Sequence, residues 1–178
     1  MEILWGVIGV IAAIAVIIYL FILQEGDAKV EVRTDSRTPF EIKTLTDDQM
    51  TVRTKVEFAN TGSQCATIMD CYVRHLLPYE QFDGIKVSSR AELDGAPRED
   101  DYFEAVLIQK RDQIYVWVEI TLTPRHDQTI KEALANMVDM SIDLVYQYST
   151  RCPWRLDKKR IILSASELAD LANTKLAD

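Results

Sequence analysis

Three cysteines (Cys65, Cys71 and Cys152) and two histidines (His75 and His126) are the side chains of this sequence best suited to nucleophilic, redox or metal chemistry. Cys65 and Cys71 stand six residues apart in what reads as one strand. At about 3.3 Å per residue their Cα atoms would be about 20 Å apart, well beyond the ~7 Å reach of a disulfide. Cys152 can bridge either of them in an exported protein and leave one thiol over; the other reading is three unpaired, mostly buried small hydrophobes. No C-x-x-C or H-x-x-x-H pairing offers zinc spacing, and the two histidines lie far apart in the chain. Glu99, Asp100 and Asp101, with Asp94 and Glu104, can either hold calcium through clustered oxygens or form a solvated acidic loop. The sequence has no G-x-S-x-G elbow, no G-x-x-x-x-G-K-[ST] phosphate loop, no G-x-G-x-x-G and no H-E-x-x-H. The expectation is therefore a non-catalytic protein with no catalytic residues, no cofactor and no metal. A small enzyme or ligand carrier is the rival, and its sign would be His75 or His126 beside a carboxylate in a concave site.

The strongest surface signal comes from residues 113–122. Ile114, Val116, Val118, Ile120 and Leu122 alternate as a core face, which throws Tyr115, Trp117 and Glu119 to the other side. Two large aromatics on an outer sheet face are either covered by a helix, here 129–138 or 166–176, or offered to a partner. Tyr115, Trp117 and Glu119 are thus the candidate partner-binding residues. Nucleic acid is not the expected partner: 20 basic residues against 28 acidic ones give a net charge of −8, the wrong sign for a phosphate backbone.

The chain that must position these residues has two unlike parts. Residues 3–23 contain no Asp, Glu, Lys, Arg or His, with Trp5 and Tyr19 toward the ends and Gln24-Glu25-Gly26-Asp27 closing the run. At about 1.5 Å per residue this stretch crosses a hydrocarbon core of about 30 Å. A cleavable signal would show a basic start, a shorter apolar core and a small-x-small site, whereas Glu2 is acidic and Ile22-Leu23-Gln24 is a poor site. A buried core helix would carry a polar stripe. The reading is a single-pass membrane helix that meets the lipid bilayer through residues 3–23, with Gly6, Gly9 and Ala13 as a small-residue packing face that allows an oligomer or a membrane partner. Lys29, Arg33 and Arg37 follow the span and, taken literally, place the body in the cytoplasm; the fold type shifts the expectation to the outside.

Past Asp27 the pattern has period two. Met50, Val52, Thr54, Val56 and Phe58 face one way and Thr51, Arg53, Lys55 and Glu57 the other. Strands are expected at 29–33, 40–45, 50–58, 64–73, 85–89, 102–109, 113–122, 141–148 and 158–163, with 102–122 as a hairpin about Lys110-Arg111-Asp112. A short helix after Pro124, capped by Asp127, carries Ile130, Ala133, Leu134, Met137 and Val138. A second, opened by Ser164-Ala165-Ser166-Glu167, carries Leu168, Leu171, Ala172 and Leu176 and either docks on the body or meets a partner. The most open loop is 93–101.

The stretch Phe58-Ala59-Asn60-Thr61-Gly62 resembles the N-x-G turn of bacterial immunoglobulin-like domains on membrane-anchored and surface proteins, over about 20 residues, and Tyr146 and Tyr148 are similar to the aromatic penultimate strand of that fold. Trp117 and Trp154 do not have the antibody-type spacing from Cys65 and Cys152. The resemblance implies an immunoglobulin-like sandwich held outside the cytoplasmic membrane, where such domains mediate adhesion or assembly. The expected organisation is a transmembrane helix over 1–24, a mainly β, antiparallel immunoglobulin-like sandwich over 25–163 and an amphipathic helix over 164–178. The expected role is a tethered binding or assembly module of a bacterial envelope; a structural accessory subunit recognised through its membrane helix is a further alternative.

Overall fold

The period-two alternation of the body resolves into two antiparallel sheets packed as a β-sandwich, in a computed structural model that describes residues 2–98, 103, 105–151 and 154–177, the first two as backbone only. In chain order the elements are α1 (Glu2–Glu25), β1 (Val30–Arg33), β2 (Glu41–Leu45), β3 (Met50–Asn60), β4 (Ala66–Leu76), β5 (Ile85–Leu93), β6 (Val106–Ile108), β7 (Gln113–Pro124), α2 (Ile130–Ala135), β8 (Met140–Ser149), β9 (Arg155–Leu163) and α3 (Ala165–Ala172). The first sheet has the order β1-β3-β7-β5, with β2 also on β3; the second has the order β6-β4-β8-β9.

The expected strands are all present, with shifted ends. The hairpin expected over 102–122 is not formed: β6 pairs with β4 in the second sheet, while β7 pairs with β3 and β5 in the first. The polar break at 110–112, where Arg111 adopts a φ of 57°, carries the chain across the sandwich instead of folding it back. Strand β4 begins after Cys65, later than alternation suggests, and a bulge at Met69 shifts its register against β8.

The core lies between the sheets. Val52, Val56 and Phe58 of β3 and Val116, Val118, Ile120 and Leu122 of β7 meet Ile68 of β4 and Ile142, Leu144 and Tyr146 of β8, all inaccessible to solvent or nearly so. Each fully buried aliphatic side chain contributes about 1.5–3 kcal/mol. Phe58 and Tyr146 meet edge to face at 5.3 Å across the sheets, and the Tyr146 hydroxyl donates to Asp157. On the edge strand β9, Asp157 and Lys159 point toward the sandwich interior, an arrangement that discourages edge-to-edge pairing.

Both helices of the body close the end of the sandwich remote from α1. The first begins at Thr129 rather than Asp127: the Glu132 amide donates to the Thr129 hydroxyl and the Thr129 amide to the Glu132 carboxylate. Asp127 cannot cap, because it lies in the left-handed region at a φ of 55°. Ser164 caps α3 through the Glu167 amide, and α3 docks on the body, burying Leu168, Ala169 and Ala172.

At the other end one buried side chain ties four segments together. The Asn60 amide nitrogen faces the carbonyl oxygens of Gln64, Ile108 and Gln109 at 2.7, 3.2 and 3.1 Å, while its oxygen accepts from the amides of Lys29 and Gly62. Gly62 is required here, since a Cβ would collide with the backbone of Asp27, Ala28 and Lys29. Removing a fully buried side chain of this kind orphans several backbone groups at once. Asn60→Ala is therefore expected to lower stability by about 3 kcal/mol, measured by denaturant unfolding of the full chain in detergent micelles, while Thr61→Ala leaves it within about 0.5 kcal/mol.

Candidate functional site

Tyr115, Trp117 and Glu119 project from β7 onto the outward face of the first sheet, and the strand register decides what each one meets. Lys55 lies opposite Trp117, Glu57 opposite Tyr115, and Arg53 and Arg90 flank Glu119 on the two sides. Neither helix covers this face. Cationic side chains do: the Arg53 guanidinium stacks 4.1 Å from the Trp117 ring centre, and the Lys55 ammonium lies 4.6 Å from it and 5.7 Å from that of Tyr115. Guanidinium and ammonium groups over indole gain from its ring quadrupole and shield its apolar face without burying it.

Asp94, in the turn after β5, completes this cluster. Its carboxylate accepts from the Lys55 ammonium and from the Trp117 indole N–H, both at 2.8 Å. The Lys55 hydrogen bond, helped by the indole, holds the Asp94 carboxyl below the usual carboxylate range. Arg53 is held in turn by Glu41 at 2.7 Å. Tyr115 remains exposed, its hydroxyl accepting from Gln113.

Glu119 differs from its neighbours. It points outward yet is only 3% exposed, because Lys43 and Arg90 close over it at 2.6 and 2.9 Å. The pair of cations forms one wall of a polar concavity of about 320 Å³ whose lining also includes Thr51, Ser88 and Thr121. A buried carboxylate compensated on both oxygens positions the two cations.

The other expected centres are dispersed. Cys65 is exposed just before β4 and Cys71 is buried within it, where desolvation pushes its thiol up; Cys152 lies outside the described residues. Asp94 is engaged by Lys55, and the remaining members of the acidic set at Glu99, Asp100, Asp101 and Glu104 also fall outside them. Gly6, Gly9 and Ala13 lie exposed along α1. His126 pairs with Asp83 at 3.3 Å in open solvent. His75 lies 3.2 Å from the Ser89 hydroxyl, and burial lowers its pKa. That hydroxyl donates to the Val73 carbonyl at 2.9 Å, so its proton is already committed, and among the described residues no carboxylate orients the imidazole. A serine–histidine contact of this kind lacks the geometry of an activated nucleophile.

Sequence reading missed the cationic cover of Trp117 and the second sheet's own ion cluster, where Asp143 of β8, 4% exposed, is gripped by Arg160 at 2.8 Å and Lys158 at 3.0 Å. Those two contacts, Arg160 first, draw its carboxyl down to about 2. The available signal was alternation itself: Arg53 and Lys55 stood on the polar face of their strand, but only the register against β7 shows which aromatic they meet.

No family model matches the chain, and no curated protein does. Among solved structures it is similar to the GAE domain of GGA2p from Saccharomyces cerevisiae, at 11% identity and a TM-score of 0.35 over 78% of this chain and 98% of that one. It is also similar to the yeast GGA1_GAE domain-P21, at 12% identity and a TM-score of 0.36 over 72% and 98%. A protein from Archaeoglobus fulgidus is a third, at 11% and 0.31 over 76% and 94%. Likeness at this level carries no argument about function, and the two-sheet architecture stands on the strand pairing itself.

The Asp94 contacts give a pH signature. A carboxyl whose pKa is depressed in the folded state adds stability above its ordinary value near 4 and loses it as the pH falls through the lower folded value. Trp117 emission, read in a Trp5→Phe/Trp154→Phe background, should therefore change as the pH drops below about 4; Asp94→Asn should abolish that change.

Proposed function

We propose that this chain is a membrane-tethered, non-catalytic binding or assembly module of a bacterial envelope, with α1 as a retained single-pass anchor and the Tyr115, Trp117 and Glu119 face as its contact with a protein partner. The observation that carries the proposal is α1 itself. Within Leu4–Glu25 an 18-residue stretch has a mean hydropathy of 3.0, and none of that stretch is buried inside the protein. An apolar helix with no packing partner in its own chain needs lipid around it.

Retention of the helix is supported by the contacts at its C-terminal end. The Ser63 hydroxyl donates to the Glu25 carbonyl, Gln64 donates to the Glu25 carboxylate at 2.8 Å, and Lys29 donates to Asn60. The last residue of α1 is thus part of the folded body, and the helix runs into the domain through ordered contacts. The strand order supports the immunoglobulin-like reading: β1-β3-β7-β5 and β4-β8-β9 correspond to the ABED and CFG sheets of that fold, with β6 added beside β4. A domain of that kind on an anchor of this kind supports an extracytoplasmic body.

The binding face is pre-ordered. Trp117 and Tyr115 are held by Arg53, Lys55 and Gln113 before any partner arrives, which lowers the entropy lost on association. Tethering adds effective concentration without adding contacts. Assembly through the membrane helix is a second route, favoured by Gly6 and Gly9, where a Cβ would meet nothing within 4 Å; nothing within the chain explains their size. Ligand carriage is favoured by one feature, a mostly apolar cavity of about 310 Å³ at the β5 edge lined by Ala91, Leu93, Pro97, Phe103 and Val106.

Tyr115→Ala and Trp117→Ala should each weaken partner recovery from crosslinked native membranes about tenfold with the body still folded; recovery equal to wild type removes this face as the site. A membrane-impermeant maleimide should label exposed Cys65 on intact cells and leave buried Cys71 unlabelled until denaturation. Labelling of Cys65 only after lysis would put the body on the cytoplasmic side, and a rise on adding reductant would reveal a bridge to Cys152.

A further inference from the structure

Outside α1, the most exposed large apolar side chains do not lie on the aromatic face. They are Leu156 at 69%, Trp154 at 64%, Ile162 at 59%, Leu107 at 57% and Tyr72 at 48%, and all belong to the outward face or rim of the second sheet. Three of them gather at one end. Leu107 pairs with Thr67, which pairs with Ser149, and Trp154 immediately precedes β9, whose first residue pairs with Tyr148. Leu107 and Trp154 thus flank one cross-strand row, and Leu156 stands in the next.

This end of the sheet is also where α1 leaves the body. Thr150, in the connection from β8 to β9, donates to the Asp27 carboxylate, and Gln64, just before β4, donates to Glu25. Exposed Lys110 and Arg111 follow β6 and exposed Arg151 follows β8 at this end, while Lys158, two residues beyond Leu156, is held by Asp143. Of the nearby carboxylates, Asp27 accepts from Ala28 and Thr150 and Asp112 from the Gln113 amide, while half-buried Asp70 shares a cross-strand row with Leu156 through Gln147. In a protein of net charge −8, this end combines exposed cations with an exposed tryptophan and two leucines, the composition of a surface that sits in a headgroup layer.

We propose that the α1-proximal end of the second sheet rests on the anionic bilayer that holds the anchor, with Trp154, Leu156 and Leu107 entering the interface and Lys110, Arg111 and Arg151 facing lipid phosphates. The proposal rests on the anchored reading of α1. It assigns opposite roles to the two outward faces, one toward lipid and one toward protein.

The test uses the full chain reconstituted into phosphatidylcholine vesicles with or without about 30% phosphatidylglycerol. An environment-sensitive fluorophore is placed at Leu156→Cys, at Trp154→Cys as a second position on the patch, or at Tyr115→Cys on the opposite face, each with the native cysteines replaced and folding checked by circular dichroism. In anionic vesicles, quenching by lipid-borne nitroxide at 156 and 154 should exceed that at 115 about twofold or more, and should fall in high salt and in Lys110→Glu/Arg111→Glu. Quenching at both patch positions no greater than at 115 overturns the proposal. So does shielding that rises with protein-to-lipid ratio but not with nitroxide, the result expected of a second copy or an acidic protein on this face. Flotation with the vesicles is scored first: a chain that fails to float refutes the anchor, whereas one that floats with the patch unquenched refutes only this inference.

Discussion

Asn60 is the point on which the arrangement of the molecule turns. A buried amide that faces three carbonyl oxygens and accepts from two backbone amides fixes the helix exit, the turn between β3 and β4, and the end of β6 in one place. Without it, several backbone groups at this end would be buried without partners, a cost that apolar packing nearby does not offset. The sandwich has a large core of its own, but that core says nothing about where an N-terminal helix should leave it. The asparagine and the adjacent Gly62 supply that information. They do so with polar contacts, which are directional in a way that apolar burial is not.

The same contrast runs through the outward faces. On the first sheet, Trp117 is neither buried nor bare, because Arg53 and Lys55 lie across it and Asp94 holds its indole N–H. Glu119 is buried on a surface face by the two cations it attracts. On the second sheet, Asp143 organises Lys158 and Arg160, while Leu156 and Ile162 beside them are largely exposed. Exposed apolar area is therefore concentrated on one sheet, and it is the sheet whose alternation was harder to read.

How much of this was legible depends on how local each cause is. Met50 to Phe58 and Ile114 to Leu122 announce their inner and outer faces by period two alone, so the sandwich and its core could be read directly. The apolar run of α1 is equally local. The crossing between β6 and β7 is not, because a polar break such as Lys110-Arg111-Asp112 looks alike whether the chain returns to the same sheet or passes to the other. Residues 155–157 were missed as strand because Asp157 and Lys159 put charge on the inward side, which breaks the alternation at a sheet edge. The role of Trp117 required knowing that Lys55 stands opposite it, a fact of register that no single strand contains.

The tight exit at Gly26 and Gly62 has a mechanical meaning. A helix joined to its domain by a handful of ordered residues behaves as a mast and not as a leash: rotation of the span about its axis turns the whole sandwich, and tilt of the span tips it. The volume such a head can sweep is small, on the order of its own dimensions, so with α1 anchored as proposed, encounters would be governed by lateral diffusion within the membrane plane rather than by a searching arm. Under the proposed role, such a mount would select for companions that present themselves at a fixed height and azimuth.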